Sequence, residues 1–359
     1  MQILTMIFRA HYGSEHDLGS LKMWINLLRR DSGFWIADKK KIKNFRACQA
    51  FFDHVLDGHI LAAIGAYYKN SSCRELSNSL ETSNWRKAIK RVCTNVIELD
   101  KVGSLRSQDI ELRDVPYENA MLFIQHGLMY REFCHAIKIG DTGRVENSLQ
   151  IFTIWFQATN MHNYAQETIH LTACLKKLWS PEFRNYWLDN CLVNTAGTQN
   201  GFMPCDLLGE YVIRETKRMI HHNSNAKTDH HLREIVARQV MTLREMRNAM
   251  AVATNATNYH QRSSHVDPWF DVRAVADNLL RDQVFELNEG RYKLPGDKGK
   301  KFSVSTDLHK IGCDELGKAK HILTYISKME SAFGLFDVSE EDNVREIEDE
   351  EDVVSDFEF

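Results

Sequence analysis

Residues 152–178 read FTIWFQATNMHNYAQETIHLTACLKKL, and this stretch decides the fold class. Upstream, Val145, Leu149, Phe152 and Phe156 recur at the spacing of one helix face. Ala158-Thr159-Asn160 ends that helix, because Thr and Asn favour caps and turns over helix interiors. A second stripe follows at Tyr164, Thr168, Leu171, Leu175 and Leu178. At about 100° per residue, Glu167 lies roughly 60° from the centre of this stripe, at the boundary between core and water. A carboxylate half removed from water there is suited to proton or metal chemistry. The alternative is a rim glutamate paired with a nearby base.

Working outward, the same helical period recurs. Ser20 is placed to cap a helix carrying Leu21, Trp24, Ile25 and Leu28. Phe45, Cys48, Phe52, Val55 and His59 mark a longer one, and Trp85, Ile89, Val92, Val96 and Leu99 another. Residues 100–114 read as polar and irregular, and Asp114-Val115-Pro116 then opens a helix that runs to the Gly140-Asp141-Thr142-Gly143 turn. Ser180-Pro181-Glu182 supplies a cap, a proline at the first helical position and an acid in the first turn. Pro204 and Asp267-Pro268 open two more helices, and a last one is expected over 307–333. The decent strand signal is a small hairpin over Val284–Lys293 around Asn288-Glu289-Gly290. The expected fold is mainly α: a multi-helix globular body with at most one small β-hairpin and a disordered acidic C-terminal tail. Its organisation reads as an N-terminal helical region over 1–68, a Ser- and Asn-rich linker over 69–84 and a central helical core over 85–251. A C-terminal helical region over 252–335 and the tail over 336–359 complete it.

Composition bounds the function. Five prolines and 18 glycines in 359 residues leave long stretches free for helices. The net charge of −4 conceals an asymmetry, because residues 337–359 hold twelve acids and one base, Arg345. Without them, 44 Lys and Arg face 37 Asp and Glu, a surplus of seven positive charges compatible with a nucleic-acid partner. Lys39, Lys40, Lys41 and Lys43 form one basic run, and Arg86, Lys87, Lys90 and Arg91 decorate one helix. These eight are the candidate nucleic-acid contacts; a solvated face is the plainer reading of so short a run. The eight cysteines contain no C-x-x-C pair, which argues for free thiols in a reducing compartment, cytoplasm or nucleus. The apolar start MQILTMIFRAHYG is a poor signal peptide, and no run has the roughly 18 apolar residues of a membrane span.

Motifs for phosphate loops, dinucleotides, serine hydrolases and zinc proteases are absent. Asp206 and Glu210 are four apart and share a helix face. They could bridge a divalent metal with Glu167, or face solvent with Glu210 paired to Arg214. The pairs His221-His222 and His230-His231 lack a completing ligand, so no metal site is assigned.

An ordered set of strings adds a resemblance. Gly140-Asp141-Thr142-Gly143-Arg144, ATNMHNYAQE over 158–167 and Trp179-Ser180-Pro181-Glu182-Phe183 come first. Leu192-Val193-Asn194-Thr195-Ala196-Gly197 and Asp206-Leu207-Leu208-Gly209-Glu210 follow. Together they resemble a large, mostly fungal family catalogued as domain of unknown function 6589, over most of residues 1–285. The resemblance implies an origin like that of mobile-element proteins. By analogy with ribonuclease-H-type transposases, it implies Glu167 as third catalytic carboxylate, with the strands for the first two outside this chain. The leading expectation is a non-catalytic remnant or C-terminal portion of a transposon-derived protein with nucleic-acid contact. One alternative is a Mg- or Mn-dependent phosphodiester-cleaving enzyme using Glu167, Asp206 and Glu210. The other is a helical scaffold or interaction protein.

Overall fold

Local capping chemistry sets several of the helix starts among the described residues, four of them at residues that the sequence marks. Ser20 accepts from Met23 N–H at the head of α2 (Leu21–Leu27), and Asp114 accepts from Tyr117 N–H at the head of α7 (Val115–Ile139). Ser180 accepts from Phe183 N–H, and Asp267 from Trp269 N–H, opening α10 (Pro181–Asn190) and α13 (Pro268–Arg281). Each bond satisfies one of the N–H groups that a helix start leaves without a partner. Gly140, at φ +79°, closes α7 in the left-handed conformation that glycine adopts without strain.

The computed structural model describes residues 1–30, 35–36, 41–82, 85–97, 99–195, 197–222, 230, 234, 237–253, 267–294, 299–320, 324–325 and 327–328. The remaining helices are α1 (Gln2–His11), α3 (Phe45–Tyr67), α4 (Cys73–Thr82), α5 (Trp85–Ile97), α6 (Leu99–Arg106), α8 (Thr142–Ala158) and α9 (His162–Ala173). After α10 come α11 (Cys205–His222), α12 (Ala237–Ala253) and, beyond α13, α14 (Leu308–Lys318). The fold is mainly α, as the periodicity implies. Strand content among the described residues is two antiparallel ladders of two residues per strand. They pair β1 (Trp35–Ile36) with β2 (Lys41–Ile42) and β3 (Leu192–Val193) with β4 (Met203–Pro204).

The core lies where α1, α3, α7, α8 and α13 meet. Phe8, Trp24, Phe52, Phe123 and Phe152 are fully buried there. The α3–α13 contact is close because α3 carries glycine at two positions two turns apart. A Cβ at Gly58 would stand 2.5 Å from Val275 Cγ1, and one at Gly65 2.8 Å from Leu280 Cδ2. Asp271 of α13 is buried and is held by Arg30 and by His54, 3.1 Å away. Residues 1–317 form one compact unit.

Four segments differ from the sequence reading. Residues 69–84, expected as a linker, contain α4, which packs against α3 and α13, and Asp277 of α13 accepts from Cys73 N–H at 2.7 Å. The stretch 100–114, expected as irregular, contains most of α6, which buries Val102 against Tyr117, Met121 and Leu122 of α7. The hairpin expected over 284–293 does not form. Arg291 instead draws the chain around its guanidinium, which pairs with Asp114 at 2.8 Å and donates to the carbonyls of Asp282, Gln283, Val284 and Glu286. Carbonyls gathered on one cation curl into turns and cannot pair as a ladder. Finally, the helix expected to run to Leu178 ends as α9 at Ala173 and widens into a π turn over Cys174–Leu178. The acidic tail over 336–359 and residues 254–266 lie outside the described residues.

Candidate functional site

The three carboxylates singled out from the sequence all face outward. α9 buries Ala165 and no other residue, so its inward face is turned away from Glu167, which is exposed. The expected stripe residue Tyr164 is itself 47% exposed and stacks on Phe156 with ring centroids 5.3 Å apart. The boundary position inferred for Glu167 is therefore corrected to an exposed one. Asp206 sits in the first turn of α11 and accepts from Leu207 N–H at 2.8 Å; Asp206 and Glu210 are both exposed. Among the described residues no group of three or more His, Cys, Asp or Glu side chains is placed to hold a metal ion, so these three form no such group.

Three histidines that the sequence reading did not bring together do meet. His11 of α1, His59 of α3 and His126 of α7 are all buried among Trp24, Phe123 and Trp155. His11 Nε2 and His126 Nδ1 lie 2.8 Å apart, so one nitrogen donates and the other accepts. His59 Nδ1 donates to the Val55 carbonyl at 2.8 Å, while its Nε2 has no hydrogen-bond partner, as suits the neutral ring. Burial disfavours the charged form of each ring. It holds His11 well below the usual histidine range, with His126, His59 and Arg106 adding like-charge repulsion. It brings His126 and His59 down to about 4. His11 also lines a small cleft of about 130 Å³ with Arg9, Asp17, Ser20, Asn119 and Ser305. The strap over 302–306 closes that cleft: Asp17 accepts from Ser303 N–H, Asn119 from Ser305 N–H and the Ala10 carbonyl from Thr306 N–H. Neutral rings buried against aromatic faces stiffen the junction of three helices.

The basic residues divide. Lys39 and Lys40 lie outside the described residues, Lys41 belongs to β2 and Lys43 is exposed. On α5, Arg86, Lys87 and Lys90 are exposed; Arg91 belongs to the same helix. α5 packs against α3 and α7, which fixes it to the body of the molecule. Its sequence, WRKAIKRVCTNVI, carries four cations and no acid.

The profile of a family of unknown function, DUF6589, matches residues 1–265. The chain belongs to this family. No curated protein and no solved structure matches it. The DUF6589 match runs from α1 through α12 and stops before α13, the helix whose Val275 and Leu280 close on Gly58 and Gly65. Part of what completes the core in this DUF6589 chain therefore lies beyond the matched segment. No helix among its described residues is long and apolar enough to cross a membrane.

Sequence reasoning also missed the surface that follows the π turn. Trp179, Phe183 and Trp187 follow one another at four-residue spacing, and their rings touch: Trp179–Phe183 at 5.0 Å and Trp179–Trp187 at 5.7 Å. Phe183 and Tyr186 are 49% and 66% exposed. Beside them, buried Glu146 of α8 binds Lys176 at 2.6 Å and Arg184 at 3.1 Å, which ties α8, the π turn and α10 together. The i, i+4, i+8 spacing of the three rings was a legible signal for one face.

Proposed function

We propose that this protein holds nucleic acid through the phosphate backbone and performs no phosphodiester chemistry by itself. The observation that carries the reading is α5, four cations without an acid, with Arg86, Lys87 and Lys90 exposed on a helix anchored to the core. Anchored cations of one sign neutralise phosphates and release counterions, an attraction indifferent to base sequence. The surplus of seven positive charges outside residues 337–359 acts in the same direction. The outward, ungrouped placement of Glu167, Asp206 and Glu210 supports the non-catalytic part of the reading. On this reading the chain is the nucleic-acid-holding remnant of a transposon-derived protein.

The test is fluorescence anisotropy of a labelled duplex across a salt series, with the wild-type chain and the Arg86→Ala/Lys87→Ala/Lys90→Ala variant. The wild type is expected to bind with a dissociation constant on the order of 10⁻⁴–10⁻⁶ M and to weaken as salt rises. Each phosphate that the variant no longer neutralises should flatten the slope of log affinity against log salt by about 0.9. Absence of binding at low salt, or a variant with an unchanged slope, would overturn the proposal.

A further inference from the structure

The β3–β4 ladder sets Leu192 opposite Pro204 and Val193 opposite Met203. One step along the same antiparallel register brings Cys191 opposite Cys205. The pairing continues to that step, because Cys205 N–H donates to the Cys191 carbonyl at 2.9 Å. Cys191 and Cys205 flank the ladder rather than belong to it, and this bond holds their backbones side by side; the Cα spacing of a hydrogen-bonded opposite pair, about 5.5 Å, lies within the range that a disulfide spans. Both thiols are free, Cys205 is exposed and Cys191 is half-buried, with its Sγ 3.4 Å from the Leu188 carbonyl. Burial pushes the Cys191 thiol up, and charge on Cys205 adds to that push.

We propose that Cys191 and Cys205 are a reversible redox pair, oxidised to a disulfide by a hydroperoxide. The exposed Cys205 sulfur, as thiolate, attacks the peroxide. A sulfur–oxygen bond forms, the oxygen–oxygen bond breaks, and the departing hydroxide leaves as water after taking a proton. The Cys191 sulfur then attacks the sulfenic sulfur of Cys205; the sulfur–sulfur bond forms and the second oxygen leaves as water. Two thiols are oxidised and one hydrogen peroxide is reduced to two waters. A dithiol reductant reverses the link by exchange.

The link has a defined structural effect. Cys191 is the C-terminal cap of α10 and Cys205 the first residue of α11. Oxidation therefore closes the 192–204 segment and staples the aromatic helix to the helix that carries Asp206 and Glu210. A pair of this kind, formed transiently, is how thiols of reducing compartments are used. The proposal is independent of nucleic-acid binding.

The experiment is a hydrogen peroxide titration of the full chain, followed by intact mass and peptide mapping without reductant. The expected result is a loss of about 2 Da, a cross-linked peptide joining Cys191 to Cys205, and recovery of the starting mass with dithiothreitol. Cys191→Ser should abolish that link and leave Cys205 as a sulfenic acid that dimedone traps. A wild-type chain whose Cys205 gains oxygen without linking to Cys191, or links to a different cysteine, would overturn the proposal. The wild-type map decides the matter even if the variant fails to fold.

Discussion

α1 and α10 are each ten residues long, and each is rich in apolar side chains, yet they end up in opposite surroundings. α1 buries Ile3, Leu4, Thr5, Met6, Ile7, Phe8, Ala10 and His11; α10 buries nothing. α1 has a single formally charged residue, Arg9, and is enclosed by α7 and α8, by Phe51 and Phe52 of α3 and by the strap at Thr306. A helix that is apolar on all sides must be covered on all sides. α10 intersperses Glu182, Arg184 and Asp189 with its rings, and those rings lean on one another rather than on a second layer. Burial follows from the number of elements that arrive to cover a helix, and apolar content alone does not fix that number.

The sharpest way to break the comparison is Phe8→Ala. Phe8 is fully buried, 6.4 Å from both Phe51 and Phe52. Its removal leaves a cavity that close-packed rings cannot fill, and the expected loss is about 3–5 kcal/mol by urea denaturation. A loss below about 1 kcal/mol would mean that α1 is far less enclosed than described.

The next effect is that of acid, again through α1. Burial pushes the His59 and His126 rings down to about 4 in the folded chain, and His11 well below the ordinary 6.5. An unfolded chain takes up these protons near 6.5, so between 6.5 and about 4 the unfolded state binds more of them. Stability is then complete above 6.5 and falls as the pH drops through that window. A single ring displaced from 6.5 to about 4 corresponds to about 3 kcal/mol. Denaturation midpoints from pH 8 to pH 4 should show this decline. His11→Phe together with His126→Phe should flatten it, leaving the share due to His59. A flat profile in the wild type would show that the rings are wetter than their burial implies.

What could be read in the sequence was what is local. Ser20, Asp114, Ser180 and Asp267 were legible as caps because a cap needs only its own next three residues. The helix starts, and with them the mainly α fold, follow from such signals. The meeting of His11 with His126 was not legible, since 115 positions separate them. Nor was the fate of 282–291, where the turn signal at Asn288–Gly290 is real but Arg291 commits the carbonyls to itself and pairs with Asp114. Of the candidate site, the basic character of α5 was legible from its sequence. The outward placement of Glu167 was not: the apolar stripe was traced through Tyr164, Thr168, Leu171, Leu175 and Leu178, of which Leu175 reaches the core, and Ala165 and Cys174 reach it beside Leu175. The π turn contributes to that miss, because a wider turn shifts the phase of every residue after Ala173.

The smallest effect belongs to α10 and tests the other side of the comparison. Phe183→Ala with Tyr186→Ala removes two rings that are about half and two-thirds exposed, 49% and 66%. Surface substitutions away from caps and cores change stability by about 0.5 kcal/mol or less, so the pair should leave the urea midpoint nearly where it was. The Ser180 cap and the Arg184–Glu146 ion pair, both untouched by the change, keep the helix in place. A loss of about 2 kcal/mol or more would mean that these rings are covered in solution. If that loss grew with protein concentration, the cover would be a second copy, because association stabilises the folded chain by mass action. If it did not, the cover would come from within the chain, and α10 would join α1 as a helix held by burial.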